Sequence, residues 1–237
     1  MYKILIANQK GGCGKTTVAT TLAVAIANHV IKRGHQVFLA DTDGQKSSLR
    51  WLKIRPKTAM PIVGLDWRDE RDIGNLPSNA DPHDWLIVDG QGAMSPEKLS
   101  QLVAECQLII VPTLPSFFDV DSTKRFLKQL DEMKRVKKGK VGIHLLANRV
   151  RSQLLTDGQP SEKAEQFFAK IGEQPIAWVS ERSIYQLLSE NGLTAFDKTQ
   201  KPYREMQAQW QAVLDNLAWD FTNLPKKVAK PQNQNWY

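Results

Sequence analysis

Between Asn8 and Val18 the chain carries Gln9-Lys10-Gly11-Gly12-Cys13-Gly14-Lys15-Thr16-Thr17, a run whose residue types suit the holding of phosphate. Glycines let the backbone curl so that successive N–H groups point inward at phosphate oxygens, and a helix opening here adds its partly positive N-terminus. The Lys15 ammonium neutralises terminal phosphates and the Thr16 hydroxyl is a hard ligand for magnesium. Cys13 sits at a variable position of the loop and reads as a small filler. Lys10 adds a second cation to the loop, ahead of Lys15. Carboxylates come from two further segments, Asp41-Thr42-Asp43-Gly44-Gln45 and Asp84-Trp85-Leu86-Ile87-Val88-Asp89-Gly90-Gln91-Gly92. Any one of these aspartates alone reads equally well as a cap or turn residue. Together with the loop they point to a magnesium–nucleotide site, in which Asp43 or Asp41 orients a water and Asp89 holds the metal through its hydration shell.

Such groups must be delivered by strands ending at one edge of a sheet. Short apolar runs at Lys3–Ala7, Gln36–Ala40, Trp85–Val88, Gln107–Val111, Val141–Ala147 and Ile176–Val179 read as buried strands alternating with helical segments, the pattern of a parallel sheet. Helical spacing over Lys15–Arg33, Ser122–Lys138, Ser161–Ile171, Ser183–Asn191 and Tyr203–Phe221 predicts helices, the last with an apolar stripe of Met206, Trp210, Val213, Leu214 and Leu217 that suits a core or a subunit interface. The expected fold is α/β: a doubly wound, mostly parallel sheet of about seven strands flanked by helices, with ligands at the C-terminal strand edge. We expect one domain over residues 1–222 and a flexible tail over 223–237, where the polar stretch from Lys226 to Tyr237 has no apolar period.

Composition narrows the function further. The chain has 237 residues, 41% of them hydrophobic, enough for a substantial core, and no run approaches the roughly 18–20 apolar residues of a membrane span. The start of the chain does not resemble a signal peptide, so a cytoplasmic protein is expected. Cys13 and Cys106 are the only cysteines, too few for a disulfide scaffold or a four-cysteine zinc site. Net charge is +7 and it is unevenly laid out: residues 124–151 hold 10 bases and 2 acids, whereas 58–123 hold 3 bases and 11 acids. The basic run Lys124, Arg125, Lys128, Lys134, Arg135, Lys137, Lys138 and Lys140 lies on one predicted helix and just past its end. It is either a solvated face or a surface for nucleic acid.

The segment Lys10–Thr17 resembles the deviant Walker A loop, K-G-G-x-G-K-T-T, of the ParA/MinD superfamily of P-loop ATPases, and the chain is most similar to its small ParA-type, ParF-like members. Asp41-Thr42-Asp43-Gly44-Gln45 resembles that family's A′ motif and Asp89-Gly90-Gln91-Gly92 its Walker B region. Ile110-Val111-Pro112-Thr113 resembles its switch strand, Asn148-Arg149 the segment that meets adenine, and Arg182-Ser183-Ile184-Tyr185 with Gly192 and Phe196 a stretch of the ParF-like branch. The chain departs at Gly44, where the family has proline, and at Gly90-Gln91-Gly92, in place of a D-x-P-P form. Neither change removes a charged group.

The resemblance implies ATP and Mg2+ as cofactors, bound by Gly11, Gly12, Cys13, Gly14, Lys15, Thr16, Thr17, Asn148 and Arg149, with Thr16 and Asp89 at the metal. It implies a homodimer in the ATP state, in which Lys10 reaches the partner's phosphates, Lys15 holds phosphates in its own subunit and Asp43 positions the attacking water. It also implies slow basal hydrolysis, nonspecific binding to nucleoid DNA, and a ParB-like or other adaptor that stimulates turnover while coupling it to a plasmid, chromosome or protein cargo. Lys134, Arg135, Lys137, Lys138, Lys198, Lys201 and Arg204 are then the candidate DNA contacts, salt-dependent and indifferent to sequence. Because nothing precedes the first strand, no N-terminal helix-turn-helix and no operator-specific autoregulation are expected.

Two other readings of the same loop remain. A MinD-like membrane-cycling regulator needs a C-terminal amphipathic helix. The stretch from Lys226 to Gln234 does not supply one, so no membrane association is expected. A metabolic enzyme on the same fold is the other: a nitrogenase-type reductase lacks cluster cysteines here, while an ATP-dependent ligase would show metabolite-dependent turnover without DNA stimulation.

Overall fold

The computed structural model describes residues 1–156 and 158–217. Along the chain run β1 (Tyr2–Ile6), α1 (Lys15–Val30), β2 (Val37–Asp41), α2 (Ser47–Ile54), β3 (Val63–Asp66), β4 (Trp85–Asp89), α3 (Pro96–Glu105), β5 (Leu108–Thr113), α4 (Phe117–Asp131), α5 (Lys134–Lys137) and β6 (Gly142–Val150). A two-residue hairpin follows, β7 (Leu155–Thr156) with β8 (Gln159–Pro160), then α6 (Glu162–Ala169), β9 (Trp178–Ser180), α7 (Ile184–Glu190) and α8 (Lys201–Asp215). The main sheet has seven strands in the order β3-β2-β4-β1-β5-β6-β9. Every pairing in it is parallel.

Alternation along the strands divides the core in two. Ile4, Ile6, Val37, Leu39, Trp85, Ile87, Leu108 and Ile110 face α1 and α8, whose Leu22, Ile26, Trp210 and Val213 cover them. Leu5, Phe38, Ala40, Leu86, Val88, Ile109 and Val111 face the other way, onto Leu99, Leu102, Phe126, Leu130 and Phe168 of α3, α4 and α6. Each fully buried side chain of this size contributes about 1.5–3 kcal/mol on burial. The α8 stripe that suited a core or a subunit interface is core: Trp210, Val213 and Leu217 are fully covered within one chain. Among the described residues no helix is long and apolar enough to cross a membrane.

Several boundaries differ from the sequence pattern. The predicted helix over Ser122–Lys138 begins instead at Phe117, capped by the Ser116 side chain, and breaks at Met133, whose extended backbone starts the separate α5. The basic run is therefore shared between two helices. The edge strand β3 escapes an apolar pattern because three of its four residues are open to solvent or nearly so, and one is Gly64. α8 starts at Lys201 with Pro202 in its first turn and is described to Asp215. The predicted tail, residues 223–237, lies outside the described residues.

Candidate nucleotide site

Register aligns the site. Ile6 pairs with Asp89, and Asp89 with Asp41, so β1, β4 and β2 end at one level and deliver their loops to the same edge. The loop after β1 is anchored from below by Asn8. Its Nδ2 donates to the Pro112 carbonyl and to Thr123 Oγ1, both at 2.9 Å, and its Oδ1 accepts the Lys10 N–H at 3.0 Å. Gly14 then opens α1 from a left-handed conformation, φ 89°, and a Cβ there would lie 2.5 Å from Asn148 Nδ2. Glycine is required on both counts.

Asn148 and Arg149, at the end of β6, support the loop from behind. Asn148 Nδ2 donates to the Cys13 carbonyl at 2.8 Å and Arg149 Nη1 to the Gly12 carbonyl at 3.0 Å, while Arg149 is itself paired with Glu181 at 2.7 Å. Both residues also line, with Gly14, Thr17, Arg182, Tyr185 and Trp210, a cavity of about 580 Å³ beside the loop. That volume lies within the range of small-molecule pockets. Lys15 is buried, and its ammonium rests on the Lys10 carbonyl at 3.0 Å. Cys13 is fully buried, its thiol donates to the same carbonyl, and burial pushes its pKa up, consistent with a filler.

The three aspartates separate by environment. Asp41, with no exposed surface, spends its carboxylate on its own loop: Oδ1 accepts the Asp43 N–H at 2.9 Å, and Oδ2 accepts the Ser48 N–H and hydroxyl and the Leu49 N–H at 2.8–3.1 Å. Of the two aspartates expected to orient water, Asp41 is thus the one committed to its own loop. Its acceptor capacity is taken up in shaping the turn into α2, in which Lys46 holds a left-handed φ of 54°. Asp43 is half-buried, with one oxygen accepting the Gln45 N–H at 2.9 Å, and is the carboxylate of this pair free to face a ligand.

Asp89 is buried, and burial pushes its carboxyl up to about 7, with neighbouring Asp41 adding to the rise and hydrogen bonding from Thr16 and Ser48 and the charge of Lys15 opposing it. Thr16, in the first turn of α1, and Asp89, which ends β4, are thus neighbouring hard oxygen donors, and a nearby cation would relieve the crowding of two buried carboxylates. This donor set fits Mg2+, which keeps several waters and takes one or two protein oxygens. Gly90 packs against the phosphate-loop strand, since a Cβ there would lie 2.6 Å from the Ile6 carbonyl.

The candidate DNA-contact residues do not form one surface. Lys134, Lys137 and Lys138 are exposed, but Arg135 is half-buried and donates to the Cys106 carbonyl at 3.3 Å. That group sits at the N-terminal ends of β5 and β6, the edge opposite the phosphate loop. Lys201 and Arg204 are exposed and Lys198 half-buried, around the start of α8. The next turn of α8 meets the residues beyond β9, where Arg182 and Glu205 approach to 3.8 Å. Sequence reasoning missed Asn8, Thr123, Glu181 and Lys98. Only the position of Asn8, at the end of the first strand, could have drawn attention to it.

Residues 4–189 match the family described as the CobQ/CobB/MinD/ParA nucleotide binding domain. The chain is 30% identical over 135 residues to the maintenance of carboxysome distribution protein A of Halothiobacillus neapolitanus, covering 56% of this chain and 60% of that protein. It is 25% identical to the protein of the same name from Gloeobacter kilaueensis over 88% of this chain and 95% of that one. The chromosome-partitioning ATPase Soj of Thermus thermophilus is 26% identical over 56% of this chain and 62% of that one. Among solved structures, an ATP complex of a Cyanothece McdA variant superposes with a TM-score of 0.67 at 16% identity, covering 97% of this chain and 99% of that one. The Mg-ADP complex of MinD from Pyrococcus horikoshii does so with a TM-score of 0.64 at 18% identity, covering 94% and 99%. Loop, sheet order and sequence agree, and the chain belongs to the CobQ/CobB/MinD/ParA family as a ParA/MinD-type P-loop protein.

Proposed function

We propose that this protein is an ATP-driven positioning switch: it closes into a dimer around ATP, binds DNA without sequence preference, and lets go when an adaptor on its cargo stimulates hydrolysis. The observation that carries the reading is the meeting, at one sheet edge, of the phosphate loop, the Thr16–Asp89 pair and the one uncommitted carboxylate, Asp43. Lys15 and the loop N–H groups hold the phosphates of their own subunit, and Asn148, Arg149 and the cavity beside them accept the nucleoside. Thr16 and Asp89 hold Mg2+, which when bound spreads the charge building on the terminal phosphates. Asp43 orients the attacking water and Lys10 reaches the second subunit. The protein works in the cytoplasm on the nucleoid, and its cargo is a plasmid, a chromosome region or a protein assembly; the carboxysome-distribution and chromosome-partitioning names of its relatives support that range.

A mobility-shift titration of nonspecific duplex DNA under ATP, ADP and no nucleotide, at two salt concentrations, tests this. Binding that needs ATP and weakens with salt supports the switch. Absence of ATP-dependent binding moves the reading to a membrane-cycling or metabolic enzyme. Charge reversal at Lys134, Lys137 and Lys138, compared with reversal at Lys201 and Arg204, identifies which of the two separated basic groups meets DNA.

A further inference from the structure

Lys98 lies in the first turn of α3, where its own N–H donates to the capping Ser95 hydroxyl at 3.1 Å. A cation is disfavoured at this end of a helix, because the helix dipole is positive there. The residue is also 6% exposed, and burial lowers the pKa of its ammonium against the pull of Glu70, Asp43 and Asp41. Its direct partners are neutral oxygens. Nζ donates to the Thr42 carbonyl at 2.8 Å, to Gln91 Oε1 at 2.7 Å and to the Arg68 carbonyl at 3.2 Å. An ammonium has three donors, and all three are used. They gather the loops that follow β2, β4 and β3 onto one atom.

The Thr42 carbonyl belongs to the peptide group that precedes Asp43. The N–H of that same peptide donates to Asp41 Oδ1 at 2.9 Å. One peptide plane is therefore gripped at both ends, by Asp41 on one side and Lys98 on the other, and its orientation sets where the Asp43 side chain leaves the backbone. Thr42 also bonds the loop after β4 through its hydroxyl, which donates to the Asp89 carbonyl and accepts the Gln91 N–H, each at 2.9 Å. Holding this turn has a purpose, since the left-handed Lys46 within it costs about 1–2 kcal/mol.

We propose that Lys98 is a positioning residue for hydrolysis, aiming Asp43 by clamping the Thr42–Asp43 peptide and locking it to Gln91 beyond the metal-side strand. The inference rests on the reading of Asp43 as the water-orienting group. Lys98 itself touches no reacting atom.

The test compares Lys98→Met with Gln91→Leu, which removes one of the three acceptors and leaves the lysine in place. In Lys98→Met, kcat for MgATP should fall about tenfold or more while KM and ADP affinity stay within about twofold, the pattern of a lost transition-state contact. Gln91→Leu should give a smaller fall of the same kind. The double variant should be no worse than Lys98→Met, because both act through one clamp. Amide hydrogen exchange on the nucleotide-free protein gives a readout that does not need turnover. Exchange at Asp43, Gln45 and Ser48 should accelerate in Lys98→Met while amides of β1 and α1 keep their protection. Unchanged exchange in that turn, or a KM rise with kcat intact, overturns the proposal. Should the wild-type protein fail to hydrolyse ATP, the ATPase reading is what falls, and hydrogen exchange still decides whether Lys98 holds the turn. Should Lys98→Met fail to fold, Gln91→Leu decides by the same two measurements.

Discussion

Arg55 and Asp197 form a two-pronged ion pair, Nη2 to Oδ1 at 2.8 Å and Nη1 to Oδ2 at 3.1 Å, with side chains only 5% and 6% exposed. Arg55 closes α2, the helix that follows the Asp43 turn, and Asp197 caps the turn between α7 and α8 that begins at Thr194. Arg55 also donates to the Gly192 and Met60 carbonyls, both at 3.0 Å. The pair therefore fastens the carboxylate-bearing side of the site to the helices that line the cavity beside the phosphate loop. Removing one partner of such a buried pair costs about 3–5 kcal/mol, because the other charge is stranded. Asp197→Ala should lose that much in urea unfolding, and adding Arg55→Ala should cost little more. Fully additive losses would mean that the two residues act independently.

Asp41 and Asp43 should respond differently to removal. Asp41→Ala leaves the Asp43, Ser48 and Leu49 N–H groups without their acceptor, and each buried unsatisfied donor costs about 1–3 kcal/mol, so this variant should melt well below the wild type. Asp43→Ala should keep its melting temperature, bind ATP, dimerise and stay on DNA, with hydrolysis lost. A monomeric, DNA-indifferent Asp43→Ala protein would contradict the switch.

The two lysines of the loop divide along the same line. Lys15→Ala should lose about a hundredfold or more in ATP affinity, the order expected for a charge-assisted phosphate contact. Lys10→Ala should keep measurable ATP binding yet sediment as a monomer with ATP present. Normal ATP-dependent dimerisation of Lys10→Ala would remove its role across the interface.

Asp89 predicts a pH dependence. Its carboxyl in the folded chain is pushed up to about 7 by burial, with Asp41 beside it. An unfolded chain releases the same proton near 3.9. Between those values the native state binds the extra proton, so this residue's contribution to stability falls as pH rises from about 4 to about 7 and is level above that. A metal ion favours the ionised carboxylate, so magnesium-dependent ADP binding should strengthen as pH rises toward about 7. Thermal unfolding of the nucleotide-free protein across this window, wild type against Asp89→Asn, isolates the effect: the variant should lack this decline. Parallel curves for the two proteins would refute the assignment.

How much of this could be read in advance depended on where each requirement is encoded. Gly11–Thr17 were legible because phosphate chemistry constrains residue type and order within one short run, and a neighbouring strand and helix supply the context. The six predicted strands were legible from their apolar runs; β3 was not, because Val63 and Gly64 face solvent at the sheet edge. The start of α4 was hidden by Phe117 and Phe118, which are 63% and 73% exposed and break the apolar period. Asp41 looked equivalent to Asp43 in sequence, and only the convergence of four hydrogen bonds on one of them tells the two apart. Lys98 could not have been found at all, since its partners are two carbonyls and an amide from loops that meet only in the folded sheet.

The hydrogen bond from the Lys15 ammonium to the Lys10 carbonyl ties the side chain of one loop lysine to the backbone of the other. An ammonium has three donors, so Lys15 can keep this bond while its other donors meet a phosphate. If Lys10 reaches the second subunit as proposed, its backbone is tied by one bond to the side chain that holds phosphate in its own subunit.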